Sequence, residues 1–449
     1  MGYPESSPRP PETPPRAETM PLRLLCAGDI HLGRRPSGLS DEVRQHVDPR
    51  ELGPAAAWRL TVDAAIEKGV DGVLLAGDLV DRAEDVYEAF EPLSSGVDRL
   101  VAARIPVFGV AGNHDGLVLP KLAEAIDDFR LLGRGGRWEQ VEIRGEKGDG
   151  ARILGWSFPR EVVGEDPLAA APPAPDDDLP TLGLLHCDRD ASGSRYAPVR
   201  GSVLANHWAD AWLLGHIHKP DPLEGPRPNG YLGAIGALDP SDLGPRGPWI
   251  VEVEGKGAVT AEQLALSPLR YERLDIDVGD LPDPDALHGL IHAEIDRLAG
   301  ELNGARHAPR AIGVRIRLVG RTDGRRALAR AAEGVGRLIM PQGDTVVFVE
   351  GLSLDTRPLR DLSEIAQGGR DPLALLAARL LLLDHEPGDP DRKALLHGAR
   401  MRLEKVSRKP AYLSIDEAKL DDDELVVLLR DAALDAIDRL ELEREEGAA

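Results

Sequence analysis

Five short clusters in the first half of this 449-residue sequence carry side chains that bind metals and move protons. They are Asp29 with His31, Asp78 with Asp81 and Arg82, Asn113 with His114 and Asp115, His186, and His216 with His218. Carboxylate, imidazole and one amide oxygen make a mixed donor set that suits Mn, Fe or Zn better than an all-oxygen calcium cage. Asp-x-His and His-x-His each turn two side chains to one side of an extended segment, because residues i and i+2 share a face. Taken singly, every cluster is also an ordinary turn, since Gly and Asn tolerate left-handed backbone, and a lone histidine is ordinary core. Their ordered recurrence at strand ends carries the metal reading.

Those ends must be set by regular elements. Apolar runs at 22–27, 72–76, 105–110, 181–185 and 212–214 read as buried strands that run into the clusters, with helices over 54–68 and 86–103 between them. This alternation predicts a layered α/β domain whose polar residues sit where strands give way to loops. A Pro/Asp-rich stretch, 165–180, reads as a surface insertion, and a strand over 249–253 closes the domain near residue 265. A βαβαβ pattern follows, with strands at 271–278, 312–319 and 345–349 and helices at 283–302 and 325–339. After Pro358 only helices are predicted, over 372–383, 392–405 and 421–444. The last carries an apolar stripe of Leu425, Val426, Leu428, Leu429, Ala433 and Ile437 that must pack on something. The expected division is a disordered proline-rich tail (1–20), a catalytic domain (21–265), a small α/β capping domain (266–355) and a helical partner-binding region (356–449).

In order, the clusters read D-x-H, G-D-x-x-D, G-N-H-D, a single H, and G-H-x-H, which resembles the calcineurin-like metallophosphoesterase superfamily. Tyr196-Ala197-Pro198, the Lys219-Pro220 that follows His218, and Gly244-Pro245-Arg246-Gly247 make it more similar to the bacterial SbcD-type and YhaO-like DNA repair nucleases. The resemblance implies an αββα-type layered fold and two divalent cations, Mn first, with Fe, Zn or Mg as alternatives. One cation would be held by Asp29, His31, Asp78 and His218, the other by Asp78, Asn113, His186 and His216, with Asp78 shared. Such a pair activates a hydroxide for in-line attack on phosphorus. His114 would protonate the leaving oxygen or stabilise the transition state. Archaeal and eukaryotic relatives have a histidine three residues after the shared Asp where this chain has Asp81. The resemblance implies that Asp81 partners His114, raising its basicity and fixing its orientation.

Arg82 and Arg195 are the candidate substrate-phosphate contacts, with Arg189 and Arg200 in the same loop as Arg195. Cys187 reads as a buried filler with no base beside it. A basic cluster, Arg392, Lys393, Arg400, Arg402, Lys405, Arg408 and Lys409, runs against the global charge and reads as a charged helix face or a partner contact.

That charge is acidic: 77 Asp plus Glu against 54 Lys plus Arg give a net charge of -23. Duplex DNA repels such a chain, which disfavours an autonomous DNA-coating protein. With 2 cysteines, no apolar run of the roughly 18 residues that span a bilayer, and no signal-peptide core, the expectation is a cytoplasmic protein off the membrane. The leading expectation is a manganese-dependent hydrolase of DNA, an SbcD-like exonuclease or endonuclease in DNA repair. It would work with an SbcC-like or YhaN-like coiled-coil ATPase, and homodimerisation is a further expectation. The alternatives are a phosphoesterase for small molecules or phosphoproteins, and a noncatalytic adaptor for the ATPase.

Overall fold

A computed structural model describes residues 21–447 apart from 146–149, 192, 280, 282, 305–306, 368, 370 and 408–420. The proline-rich tail expected at 1–20 lies outside the described residues. The chain divides into two compact units, one of residues up to Gly320 with Gly324–Thr356, the other of Arg321–Asp323 with Arg357 onwards.

The first unit is built on two sheets packed face to face. In chain order the strands are β1 (Leu22–Ala27), β2 (Gly72–Leu75), β3 (Val107–Gly109), β4 (Phe129–Leu131), β5 (Glu139–Arg144), β6 (Gly150–Trp156), β7 (Thr181–His186), the two-residue β8 (Asp188–Arg189) and β9 (Pro198–Val199), β10 (Ala211–Gly215), β11 (Asn229–Tyr231), β12 (Trp249–Gly255) and β13 (Ala258–Gln263). One sheet runs β13-β12-β1-β2-β3-β4 and the other β11-β10-β7-β6-β5. β1 to β4 are mutually parallel, as are β6, β7, β10 and β11.

The alternation of side chains along β1 explains the layering. Leu24 and Cys26 face the second sheet, joining Leu74, Val110, Ile153, Leu184 and Leu213 in the inter-sheet core. Leu25 and Ala27 face the other way, onto Trp58, Val62, Leu93 and Val97 of helices Pro54–Lys68 and Val86–Ala102. Strands buried on both faces read as continuous apolar runs, which is why they were visible in the sequence. The outer face of the second sheet, with Leu154, Trp212 and Leu214, is covered by Phe158, Leu168, Leu204 and partly buried Trp138 and Trp208. The stretch expected to be a surface insertion supplies part of that cover. Leu168 is buried, and the carbonyls of Pro167 and Pro172 accept from the indoles of Trp138 and Trp208 at 2.9 and 3.1 Å.

The small α/β module follows as β14 (Leu269–Asp277), β15 (Ala311–Val319), β16 (Ile339–Gln342) and β17 (Thr345–Leu354), ordered β14-β15-β17-β16, with helix Leu287–Asn303 packed on one face. The helix predicted over 325–339 is shorter: it stops at Ala331, Gly334 is left-handed (φ 88°), and residues 339–342 form an antiparallel edge strand. Pro341 has no N–H for a continuing helix but is tolerated at a sheet edge. Tyr271 and Phe348 of this module pack with Leu39, Val43 and Leu52, and the Tyr271 hydroxyl donates to the Ser37 carbonyl at 2.6 Å.

The second unit consists of helices Leu362–Ala366, Pro372–Leu381, Pro390–Ser407 and Asp422–Gly447 around Leu373, Ala377, Leu380, Leu396, Leu425 and Ile437. Much of the expected stripe is therefore this unit's own core, while Val427 and Leu428 are 60% and 46% exposed. The basic cluster does not form one face: Arg392 is buried and donates to the Leu383 carbonyl, Arg400 pairs with Asp422, and Arg408 and Lys409 lie outside the described residues.

Candidate metal centre

The loops after β1 and β2 run side by side. Asp29 N donates to the Gly77 carbonyl, His31 N to Asp78 and Leu32 N to Leu79, at 3.1, 3.0 and 2.8 Å. Asp29, His31 and Asp78 all adopt positive φ, 50°, 54° and 51°, and His216 has φ 109°. Non-glycine residues in this region cost of order 1–3 kcal/mol each and persist where the surroundings over-determine them. Two glycines permit the close approach of these loops. A Cβ on Gly112 would stand 2.1 Å from Asp78 Oδ1, and one on Gly215 would stand 2.1 Å from the Ala76 carbonyl oxygen.

The metal-donor residues converge on Asp78. His31 Nε2 and His218 Nε2 face each other at 3.1 Å, and the ligand atoms of Asp29, His31 and His218 lie within 4.8 Å of one another. On the other side, Asn113 Oδ1 stands 3.1 Å from both His186 Nε2 and His216 Nδ1, and His186 Nε2 is 3.3 Å from Asp78 Oδ2. Asp78 Oδ2 is also 4.0 Å from His31 Nε2, so one carboxylate touches both groups. Inward-facing nitrogens and oxygens with few donors of their own are what a cation needs, and the donor set fits two divalent ions sharing Asp78.

Outward-facing ring atoms fix the tautomers. His31 Nδ1 donates to Asp81 Oδ1 at 2.9 Å, and His186 Nδ1 donates to the Ala76 carbonyl at 3.0 Å, so in both rings Nε2 is the atom that faces inward. His216 is turned the other way round, with Nδ1 inward and Nε2 3.8 Å from Asp188. Burial would raise the Asp78 pKa, but neighbouring His186 holds it well below the ordinary carboxylate range. Burial works to lower His186, and Asp78 overrides it, pushing the imidazole up to about 9. His216 is drawn down to about 4 by burial and by the cationic His186.

One expectation is corrected. The Asp81 carboxylate partners His31, whereas His114 Nδ1 meets the backbone carbonyl of Asp81 at 2.6 Å. The bridge pairing of Leu32 with Val80 brings His31 under the Asp81 side chain. His114 is exposed at the rim, its N–H donating to Asp78 Oδ1 at 3.0 Å and its ring 5.0 Å from that of His31. Arg82 is 75% exposed with Nε 3.6 Å from Asp81 Oδ2, and Arg195 is exposed on its loop. Arg189 is occupied by Asp221 at 2.7 Å and stacks over Tyr231, which removes it from a phosphate-facing patch. Cys187 is buried, and burial pushes its thiol far up, away from nucleophilic use.

Asp188 was not singled out in the sequence, and Asp115 was read only as the last residue of the Asn113 cluster, with no role of its own. Asp188 Oδ2 lies 3.8 Å from His216 Nε2. Buried Asp115 accepts from Gly112 N and Leu79 N, both at 2.7 Å, tying the Asn113 loop to the Asp78 loop. Burial and nearby Asp78 raise its pKa to about 6. The only legible signal for either was a carboxylate within two residues of a ligand. A cleft of about 600 Å³ lined by Arg23, Asp71, Arg104 and Arg144 contains none of the metal donors.

Residues 22–220 match the family described as Calcineurin-like phosphoesterase, and residues 271–357 match Metallophosphoesterase YhaO, middle domain. The chain thus contains a calcineurin-like phosphoesterase domain over 22–220 and a YhaO-type middle domain over 271–357. It is 27% identical over 297 residues to the metallophosphoesterase YhaO of Bacillus subtilis, covering 62% of this chain and 68% of that one. It is also 27% identical over 287 residues to the DNA double-strand break repair protein Mre11 of Aeropyrum pernix, covering 58% of this chain and 64% of the relative, a little under two thirds of its length. A solved dimetal phosphatase from Danio rerio aligns with 54% of this chain and 99% of its own at 12% identity and a TM-score of 0.32.

Proposed function

We propose that this chain is a two-metal phosphodiesterase acting on DNA, with manganese as the working metal. The observation that supports it is the convergence of two donor groups on one shared carboxylate, Asp78, with exposed His114 at the rim. Asp29, His31, Asp78 and His218 would hold the first ion, and Asp78, Asn113, His186 and His216 the second. When bound, such a pair polarises a phosphoryl oxygen and generates a nucleophile from water at neutral pH.

The chain's own residues do the rest. A carbonyl only accepts, so the Asp81 oxygen keeps a hydrogen on His114 Nδ1 and leaves Nε2 for the substrate. As an imidazolium, His114 gives the Nε2 proton to the leaving oxygen as the P–O bond breaks, and it remains in the Nδ1–H tautomer. Arg82 and Arg195, both exposed, are the proposed contacts to flanking phosphates.

DNA is the favoured substrate because relatives matching more than half of this chain are named as DNA double-strand break repair proteins. The net charge of -23 favours a partner that supplies much of the DNA grip, and a coiled-coil ATPase is the proposed one. A cytoplasmic location follows from that role, and among the described residues no helix is long and apolar enough to cross a membrane. The test is a panel of labelled single-stranded and duplex DNA, p-nitrophenyl phosphate mono- and diesters and phosphopeptides, with Mn, Mg and Zn. Metal-dependent cleavage of DNA is expected; hydrolysis of the small esters alone would refute the DNA assignment.

A further inference from the structure

The first metal position is assembled from two sheets. His31 follows β1 in the six-stranded sheet and His218 follows β10 in the five-stranded one, yet their Nε2 atoms stand 3.1 Å apart. A proton on one Nε2 lets it donate to the other, and His216 N donates to Asp29 Oδ1 at 3.0 Å, so the two loops meet directly; a longer chain of side chains braces them further out. Arg34, which belongs to none of the metal motifs, lies between them. Its NH1 is 3.9 Å from Asp81 Oδ1, the same oxygen that accepts from His31, and its NH2 is 3.5 Å from Asp239 Oδ2.

Asp239 in turn belongs to the loop that secures His218. Asp242 Oδ2 accepts from the backbone N–H groups of Leu238 and Asp239, at 2.9 and 3.3 Å. Its Oδ1 lies 3.6 Å from the guanidinium of Arg246. Arg246, 2% exposed, donates to the His218 carbonyl at 2.9 Å. The groups from His31 through Asp81, Arg34, Asp239, Asp242 and Arg246 to His218 thus form a continuous chain of contacts between the two histidines of the first metal position.

We propose that Arg34 is a positioning residue that sets the His31–His218 gap and so the affinity of the first metal position. The proposal rests on the two-metal reading above and deepens it. Its sign separates it from simple electrostatics: a guanidinium near a cation site repels the cation, so charge alone predicts that Arg34→Gln tightens binding. Positioning predicts that it weakens it.

The test is calorimetric titration of the full-length protein with Mn, with metal stoichiometry measured after gel filtration. Wild type should bind two ions. Arg34→Gln should weaken one step by about tenfold, in the range for outer-shell partners, and leave the other unchanged. Arg34→Lys keeps the charge but cannot span both carboxylates, so it should fall between the two, and Asp239→Asn should weaken the same step. Melting curves confirm that each variant is folded. If wild type binds two ions and Arg34→Gln leaves both steps unchanged or tightens one, the inference is overturned while the two-metal reading stands. If wild type binds none, the two-metal reading itself fails, and this inference with it.

Discussion

Asp78 is the residue on which both donor groups depend. Asp78→Asn is expected to abolish binding of both ions, and elemental analysis of the purified variant measures it. His114 does different work. Its ring is exposed, so His114→Asn should keep both ions and lower kcat by roughly 10²- to 10⁴-fold, the usual contribution of a general acid. Because Asp81's carboxylate serves His31 and only its backbone serves His114, Asp81→Ala should weaken metal binding by about 10- to 100-fold.

His186 adds a pH dependence of its own. It carries a proton at neutral pH because its pKa is pushed from 6.5 up to about 9, and ligation needs the neutral ring. Metal affinity should therefore rise about tenfold per pH unit towards pH 9 and level off above it. The linkage in the metal-free protein has the opposite sense. A raised folded-state pKa stabilises fully below 6.5, and that contribution is lost as pH rises through about 9. Titrations in buffers of different ionisation enthalpy should reveal release of about one proton per protein at pH 7.

At the scale of elements, the site depends on loops cross-braced to one another. Asp115→Ala removes the acceptor for Gly112 N and Leu79 N and should cost about 1–3 kcal/mol by denaturant unfolding. Most ligand-bearing strand ends were legible because the parallel strands are apolar on both faces and stop where polar ligands begin. β5 escaped notice because it alternates polar and apolar residues at a sheet edge, and β4 because exposed Arg130 interrupts its apolar run. Which acid would pair with which histidine was illegible. It depends on the backbone pairing of residues 29–32 with 77–80 and on the positive φ of Asp29, His31 and Asp78, neither of which sequence spacing encodes.

At the scale of the whole molecule, the C-terminal helices must be judged by which side chains are already used. Ile437 is fully buried in its unit, so Ile437→Ala should cost about 2–5 kcal/mol there. Truncation at residue 410 would remove core along with surface, which makes it a poor test of docking. Val427→Asp and Leu428→Asp are the better probes, because both side chains are exposed. Folded variants that no longer retain a coiled-coil ATPase in a pull-down would locate its docking face. The acidity of the chain has its own consequence: without metal and partner, its affinity for DNA should be weak and fall further with salt.

The central claim is that this metal centre cuts DNA with His114 as proton donor. The most direct measurement is cleavage of end-labelled DNA by wild type, Asp78→Asn and His114→Asn in the presence of manganese. The expected result is cleavage by wild type and loss in both variants, with metal content lost only in Asp78→Asn. Cleavage undiminished in metal-loaded His114→Asn, or wild type that hydrolyses p-nitrophenyl diesters while leaving DNA intact, would contradict the claim.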